Sequence, residues 1–180
     1  LSVARYYLAA TGNGPFGYFG GGYNTKSTVD RIDYSNDTAT ATTKGPLSGT
    51  RHGLAATGNS SFGYFGGGTP GPLSTVDRID YSNDTATAPA KGPLSSVRYV
   101  LAASSARANG FTVVGPAVVS NAAAMNVPNA RSFGYVGGGT PSGATVNRID
   151  YSNDTVEAAT KGSLSASRYS LAATGNSFFG

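Results

Sequence analysis

The sequence predicts an all-β chain built from repeated units of four short antiparallel strands. Three observations carry that prediction. DRIDYSNDTATA at 30–41 returns letter for letter at 77–88, and NRIDYSNDTVEA follows at 147–158. Three glycine runs, Gly20–Gly22, Gly66–Gly68 and Gly137–Gly139, each follow an aromatic-rich stretch. Between them Thr, Tyr, Val and Phe abound and helix formers are scarce, the composition of strands and turns.

Aligned on Leu-Ser, the units begin at Leu1, Leu47, Leu94 and Leu164, at intervals of 46, 47 and 70 residues. The third interval is long because a segment at 104–131 intrudes, and its removal restores the period. The units are therefore 1–46, 47–93, 94–163 and a partial fourth at 164–180. In the first unit, strand one is expected at Arg5–Thr11. Strand two follows at Phe16–Phe19, closed by glycines that suit close backbone approach or positive φ. Strand three is expected at Thr28–Tyr34. Val29 and Ile32 fall on opposite faces of it, which a bulge near Asp30 would reconcile. Ser35-Asn36-Asp37 forms a turn, because Asn and Asp bond their own main chain and tolerate left-handed backbone. Strand four is expected at Thr38–Thr42.

A period of about 45–50 residues with four strands per unit is the signature of a β-propeller blade. At this point the residues resemble the kelch repeat. That pattern has a glycine pair ending strand two, a Tyr in strand three and an Arg in the next strand one. Gly20–Gly21, Tyr34 and Arg51 match it, as do Gly66–Gly67, Tyr81 and Arg98, and Gly137–Gly138, Tyr151 and Arg168. The kelch Trp, seven residues after each Tyr, is replaced by Ala41, Ala88 and Ala158. Inter-blade packing must then be filled otherwise, with the Phe and Tyr of strand two as candidates. The resemblance implies three complete kelch-like blades and part of a fourth. The fuller pattern KGPLS, LAATGN, FGYFGGG, DRIDYSNDT also resembles repeats in uncharacterised proteins of marine cyanobacteria and the phages that infect them. Single repeat units do not bury their faces alone. The C-terminal LSASRYSLAATGNSFFG duplicates strands one and two instead of supplying strands three and four. A segment of a longer repeat protein is expected, the alternative being several copies sharing one core.

Composition removes several function classes. The charge of +4 arises from 13 Lys and Arg against 9 Asp and Glu with no dense basic run, so no nucleic-acid partner is expected. The absence of cysteine excludes disulfides, zinc–thiolate sites and thiol nucleophiles. The most apolar stretch, Phe111–Met125, is broken by Gly115, Pro116, Ser120 and Asn121 and is too short to span a bilayer. GNGPFG at 12–17 satisfies a dinucleotide pattern but precedes a strand, and the second unit has GNSSFG instead. His52 is the sole histidine, without partners for a triad or a metal set. Some kelch-fold enzymes are copper oxidases, but that chemistry needs histidine ligands and a cysteine-modified tyrosine, so the resemblance does not extend to it. Neither catalysis nor a cofactor is expected. Asp33 and Asp37, with their repeats Asp80 and Asp84, Asp150 and Asp154, read as turn residues rather than a calcium loop. The N-D-T sequences at Asn36, Asn83 and Asn153 and N-S-S at Asn59 read as turns rather than glycosylation sites.

Strand parity sorts the connections onto two faces. The one–two and three–four connections share one face, and the two–three links and four–one connections share the other. Lys44, Lys91 and Lys161 are thereby expected on the link face with Tyr23 and Lys26, opposite Asp37, Asp84 and Asp154. That basic face is the candidate binding face for an acidic glycan. The inserted segment is uncharged over 110–130. Its Phe111, Val113, Val114, Val118, Val119 and Met125 are candidates for packing on a neighbouring subunit. The expected function is a non-catalytic structural or binding protein on a larger assembly, a phage virion fibre or surface appendage engaged in adhesion. The alternative is a cellular or secreted scaffold, extracellular or cytoplasmic, binding a protein or polysaccharide through its link face.

Overall fold

The computed structural model describes residues 1–24, 26–71, 73–105, 133–141 and 143–173. Among the described residues twelve strands form three separate antiparallel sheets of four, one per unit. The first holds β1 (Ala9–Gly12), β2 (Phe16–Gly20), β3 (Val29–Asp33) and β4 (Thr42–Lys44) in that order. The second holds β5 (Ala55–Gly58), β6 (Phe62–Gly66), β7 (Val76–Asp80) and β8 (Ala90–Lys91). The third holds β9 (Ala102–Ser105), β10 (Phe133–Gly137), β11 (Val146–Asp150) and β12 (Ala159–Lys161). The first strands β1, β5 and β9 lie beside one another. Among the described residues no helix is long and apolar enough to cross a membrane.

Two apolar cores form, each between neighbouring sheets. Tyr18, Val29, Leu47, Phe65, Ile79 and Tyr81 fill the first. Tyr64, Val76, Leu94, Val136, Ile149 and Tyr151 fill the second. The middle sheet contributes to both, so its two faces are covered. This explains why strand three does not alternate: a sheet buried on both sides needs apolar residues on both. The expected bulge near Asp30 is absent, because β2 and β3 pair without interruption from Phe16↔Asp33 to Gly20↔Val29. Asp30 is fully buried against Arg5 at 2.9 Å.

Two strand expectations shift. Strand one begins at Ala9 rather than Arg5, because Tyr7 takes a left-handed backbone with φ 57° and interrupts extension. Strand four begins at Thr42 rather than Thr38. Asp33 Oδ1 accepts from the Ser35 amide at 2.9 Å, Asp33 O from the Asn36 amide at 3.1 Å, and Asn36 O from the Ala39 amide at 3.3 Å. Two successive turns therefore consume residues assigned to the strand.

Neighbouring sheets are locked by one arrangement used twice. Asp84 of the second unit accepts from Tyr18 Oη at 2.9 Å and Arg31 Nη1 at 2.7 Å, and pairs with Lys44 Nζ at 3.2 Å. Asp154 of the third unit takes Tyr64 Oη at 2.9 Å, Arg78 Nη1 at 2.7 Å and Lys91 Nζ at 3.6 Å. Tyr18 stacks on Tyr81 and Tyr64 on Tyr151, with centroids 4.8 and 4.9 Å apart. Backbone bonds complete each joint: Gly45 and Gly92 amides donate to Asp84 O and Asp154 O, and Ala88 and Ala158 amides donate to Pro46 O and Pro93 O. A side chain at Gly92 would overlap Val156 O, so only glycine fits. Ala88 and Ala158, where a kelch Trp would stand, are buried against Leu47 and Leu94. The strand-two tyrosines take over inter-sheet packing.

Candidate binding site on the link face

Each glycine run ends strand two and turns the chain towards the start of the next unit. Gly21 and Gly22 have φ of 73° and 136°, open only to glycine at little cost, and Gly22 donates to Arg51 O at 2.9 Å. The linking residues then pair with the residues beside each strand-one arginine. The Tyr23 amide donates to Tyr6 O at 2.8 Å, and His52 pairs with Thr69 and Tyr99 with Thr140.

Immediately afterwards comes a left-handed residue in every unit: Tyr7, Gly53, Val100 and Ser170, with φ of 57°, 63°, 57° and 54°. Three of the four carry side chains, and Val100 is β-branched, where such backbone is costly. Their amides form a row running from unit to unit. Ser170 donates to Val100 O at 3.2 Å, Val100 to Gly53 O at 2.6 Å, and Gly53 to Tyr7 O at 2.8 Å. That row holds the conformation, which turns the side chains of Tyr7, His52, Tyr99 and Tyr169 around a groove of about 400 Å³.

The groove carries mostly aromatic and neutral polar groups: Tyr7, His52, Gly53, Tyr99, Val100, Thr140, Tyr169 and Ser170. Tyr7 and Tyr169 remain 62% and 71% exposed. Beside them Tyr6 stacks on Tyr23 at 4.7 Å, and His52 meets Tyr23 edge-on at 5.0 Å. His52 Nδ1 is buried and has no hydrogen-bond partner among the described residues. Exposed tyrosines gathered on one surface, with apolar rings and a polar edge, suit a ligand with alternating apolar and hydroxyl faces.

The residues singled out from sequence fare differently. Tyr23 is exposed within this aromatic patch and Lys26 is exposed on the same link. Lys44 and Lys91 are not opposite Asp84 and Asp154 but paired with them, and largely buried. The expected segregation of charge fails there, because the double turn folds inward between sheets and carries its aspartate with it. The capping of that turn belongs to Asp33, Asp80 and Asp150, through Ser35, Ser82 and Ser152, and not to Asp84 or Asp154. Lys161 is exposed on the third unit. Phe111, Val113, Val114, Val118, Val119 and Met125 lie outside the described residues, whereas Ser104 and Ser105, both within the 104–131 segment, belong to β9. Among the described residues no group of three or more His, Cys, Asp or Glu is placed to hold a metal.

The tyrosines of the groove were visible as letters but not as a site. They lie in different units, and only the recurring left-handed position after Arg-Tyr or Arg-His brings them together. No family model matches the chain, and no curated protein matches it.

Proposed function

We propose that this chain is a non-catalytic binding protein, built of kelch-like propeller blades, whose link face takes up a saccharide. The observation that carries the reading is the groove bounded by Tyr7, His52, Tyr99 and Tyr169, with the Tyr7 and Tyr169 rings exposed and left-handed backbone at Tyr7, Val100 and Ser170 along it. Strain at Tyr7, Val100 and Ser170, converging on one groove, is a mark of use rather than of packing. With Lys44 and Lys91 engaged in ion pairs and no Lys or Arg among the described residues lining the groove, the ligand is neutral or weakly anionic. Display on a virion fibre or surface appendage fits such a role in adhesion, and rests on the likeness of the repeats to those of cyanobacterial phages.

A glycan array probed with the 180-residue chain tests this. Selective binding of a saccharide class is expected, reduced at least tenfold by Tyr7→Ala combined with Tyr169→Ala. Both rings are exposed, so the fold should survive their removal. No glycan signal, or signal indifferent to the two substitutions, would remove the saccharide reading.

A further inference from the structure

GNGPFG at 12–17, no dinucleotide loop, places an Asn-Gly pair in the turn between β1 and β2. The second unit carries GNSSFG in the matching turn between β5 and β6, so the chain contains its own comparison. Both turns close in the same way. The Asn13 amide donates to Phe16 O at 3.0 Å and the Asn59 amide to Phe62 O at 2.9 Å. Each asparagine side chain then bends back over its turn. Asn59 Oδ1 accepts from the Ser61 and Phe62 amides, both at 2.8 Å. Among the described residues Asn13 Oδ1 accepts only from the Phe16 amide, at 3.0 Å, because Pro15 stands in the place of Ser61 and has no N–H to give.

The two turns differ at two points, and both loosen Asn13. Its carboxamide is held by one hydrogen bond where its counterpart has two. The next residue is glycine rather than serine, with no side chain to shield its nitrogen or to restrict the rotation that brings it onto Asn13 Cγ. Gly14 and Pro15 are exposed, whereas Ser60 is half-buried. Among the described residues the Gly14 amide donates no hydrogen bond, so none has to break before its nitrogen reacts. The bond that remains, from Phe16 to Asn13 Oδ1, draws electrons from Cγ and favours addition there.

We infer that Asn13 is a site of spontaneous deamidation, with water as the co-reactant. The Gly14 nitrogen gives up its proton to solvent and forms a bond to Asn13 Cγ. The carboxamide nitrogen leaves as ammonia, which closes a succinimide ring. Water then adds to one of the two ring carbonyls and breaks its bond to the Gly14 nitrogen. Opening at Cγ gives aspartate. Opening at the backbone carbonyl gives isoaspartate, whose main chain runs through the side chain. Either product places a new carboxylate in a cleft of about 450 Å³ that Asn13 shares with Asp80. Isoaspartate also adds an atom to a turn without slack, since a methyl at Gly12 would already lie 2.4 Å from Phe16 O. The turn is at the other end of its strands from the glycine links, so this inference and the saccharide reading stand or fall separately.

Incubation of the 180-residue chain in mildly alkaline buffer, followed by tryptic peptide mass mapping against an unincubated control, is the test. Peptide 6–26 should gain about one mass unit, as NH2 gives way to OH, and should resolve into aspartyl and isoaspartyl forms. Peptide 52–78, which holds Asn59, should change at least tenfold more slowly. Asn109–Gly110 lies outside the described residues and falls in peptide 108–131, so it is scored apart. Gly14→Ser should slow the change at Asn13 at least tenfold, and Pro15→Ser, which restores the second amide, at least twofold. Both substitutions copy the second unit's turn, so each variant should keep the wild-type circular dichroism. A peptide 6–26 that changes no faster than peptide 52–78 would overturn the inference. A rate undiminished in Gly14→Ser would overturn it too, and a rate unmoved in Pro15→Ser would overturn the part given to the missing amide.

Discussion

Arg51 and Arg98 are almost wholly buried, and the side chain that faces each of them differs. Arg51 faces the Asp77 carboxylate at 2.5 Å, whereas Arg98 faces the amide oxygen of Asn147. Burial holds both guanidinium groups below their usual pKa, and for Arg51 the Asp77 charge opposes that effect. A buried charge stripped of its partner is costly. Asp77→Ala should therefore lower stability by about 3–5 kcal/mol. Asp77→Asn should cost only about 1–2 kcal/mol, since an amide oxygen still accepts, as in the third unit. Urea denaturation checks the ranking. The partnership is not legible in the sequence, where Asp30 reads only as the place for a bulge and Asp77 carries no signal of its own. Burial of both sheet faces, which sets their role, is a long-range fact.

The turn aspartates supply a second residue-scale expectation. Burial works to raise the Asp84 carboxyl, but the Tyr18 hydrogen bond and the Lys44 and Arg31 charges prevail and lower it. Asp80 and Asp150 are lowered chiefly by the hydroxyls of Ser82 and Ser152. Groups whose folded pKa is depressed stabilise the fold fully above their unfolded value, about 3.9 for Asp, and lose that contribution as pH falls through the folded value. The urea midpoint should be flat with respect to these groups near neutrality and should fall below about pH 4. A stability that rose on acidification through that window would contradict the assignment.

Among the elements, the strand-four segment taught most. Its sequence reads as strand because Thr and Ala alternate, but an Asx turn at Asp33 and a backbone turn at Asn36 bend it inward, and only Thr42–Lys44 pairs with β3. Strands two and three were legible almost to the residue, since their aromatic, glycine and β-branched spacing determines them locally. Strand one was overextended because the left-handed residue at Tyr7 leaves no mark that composition reveals. The joint after strand four makes a sharp claim. Gly92→Ala should destabilise the chain by about 2–4 kcal/mol, as a methyl cannot fit beside Val156 O and the backbone must move. Gly162→Ala should be within about 0.5 kcal/mol of wild type. Thermal unfolding of the two variants tests the pair.

At the scale of the molecule, repetition does two things. It supplies identical joints that hold sheet to sheet, and it brings one position from each unit to a common row, where Tyr7, Gly53, Val100 and Ser170 share hydrogen bonds. Repeat number and strand content were legible in the sequence. The convergence of Tyr7, His52, Tyr99 and Tyr169 was not, since residues about one period apart meet only once the units stack. Lys44 and Lys91 were misassigned for the same reason: their partners lie in the next unit.

The central claim is that a saccharide occupies the link-face groove, and an amide chemical-shift map locates the ligand most directly. With the best array glycan added to saturation, shifts are predicted to concentrate at Gly53, Val100, Thr140 and Ser170, leaving the opposite turns around Asn36, Asn83 and Asn153 unmoved. Shifts centred on those turns, or none at all, would contradict the account.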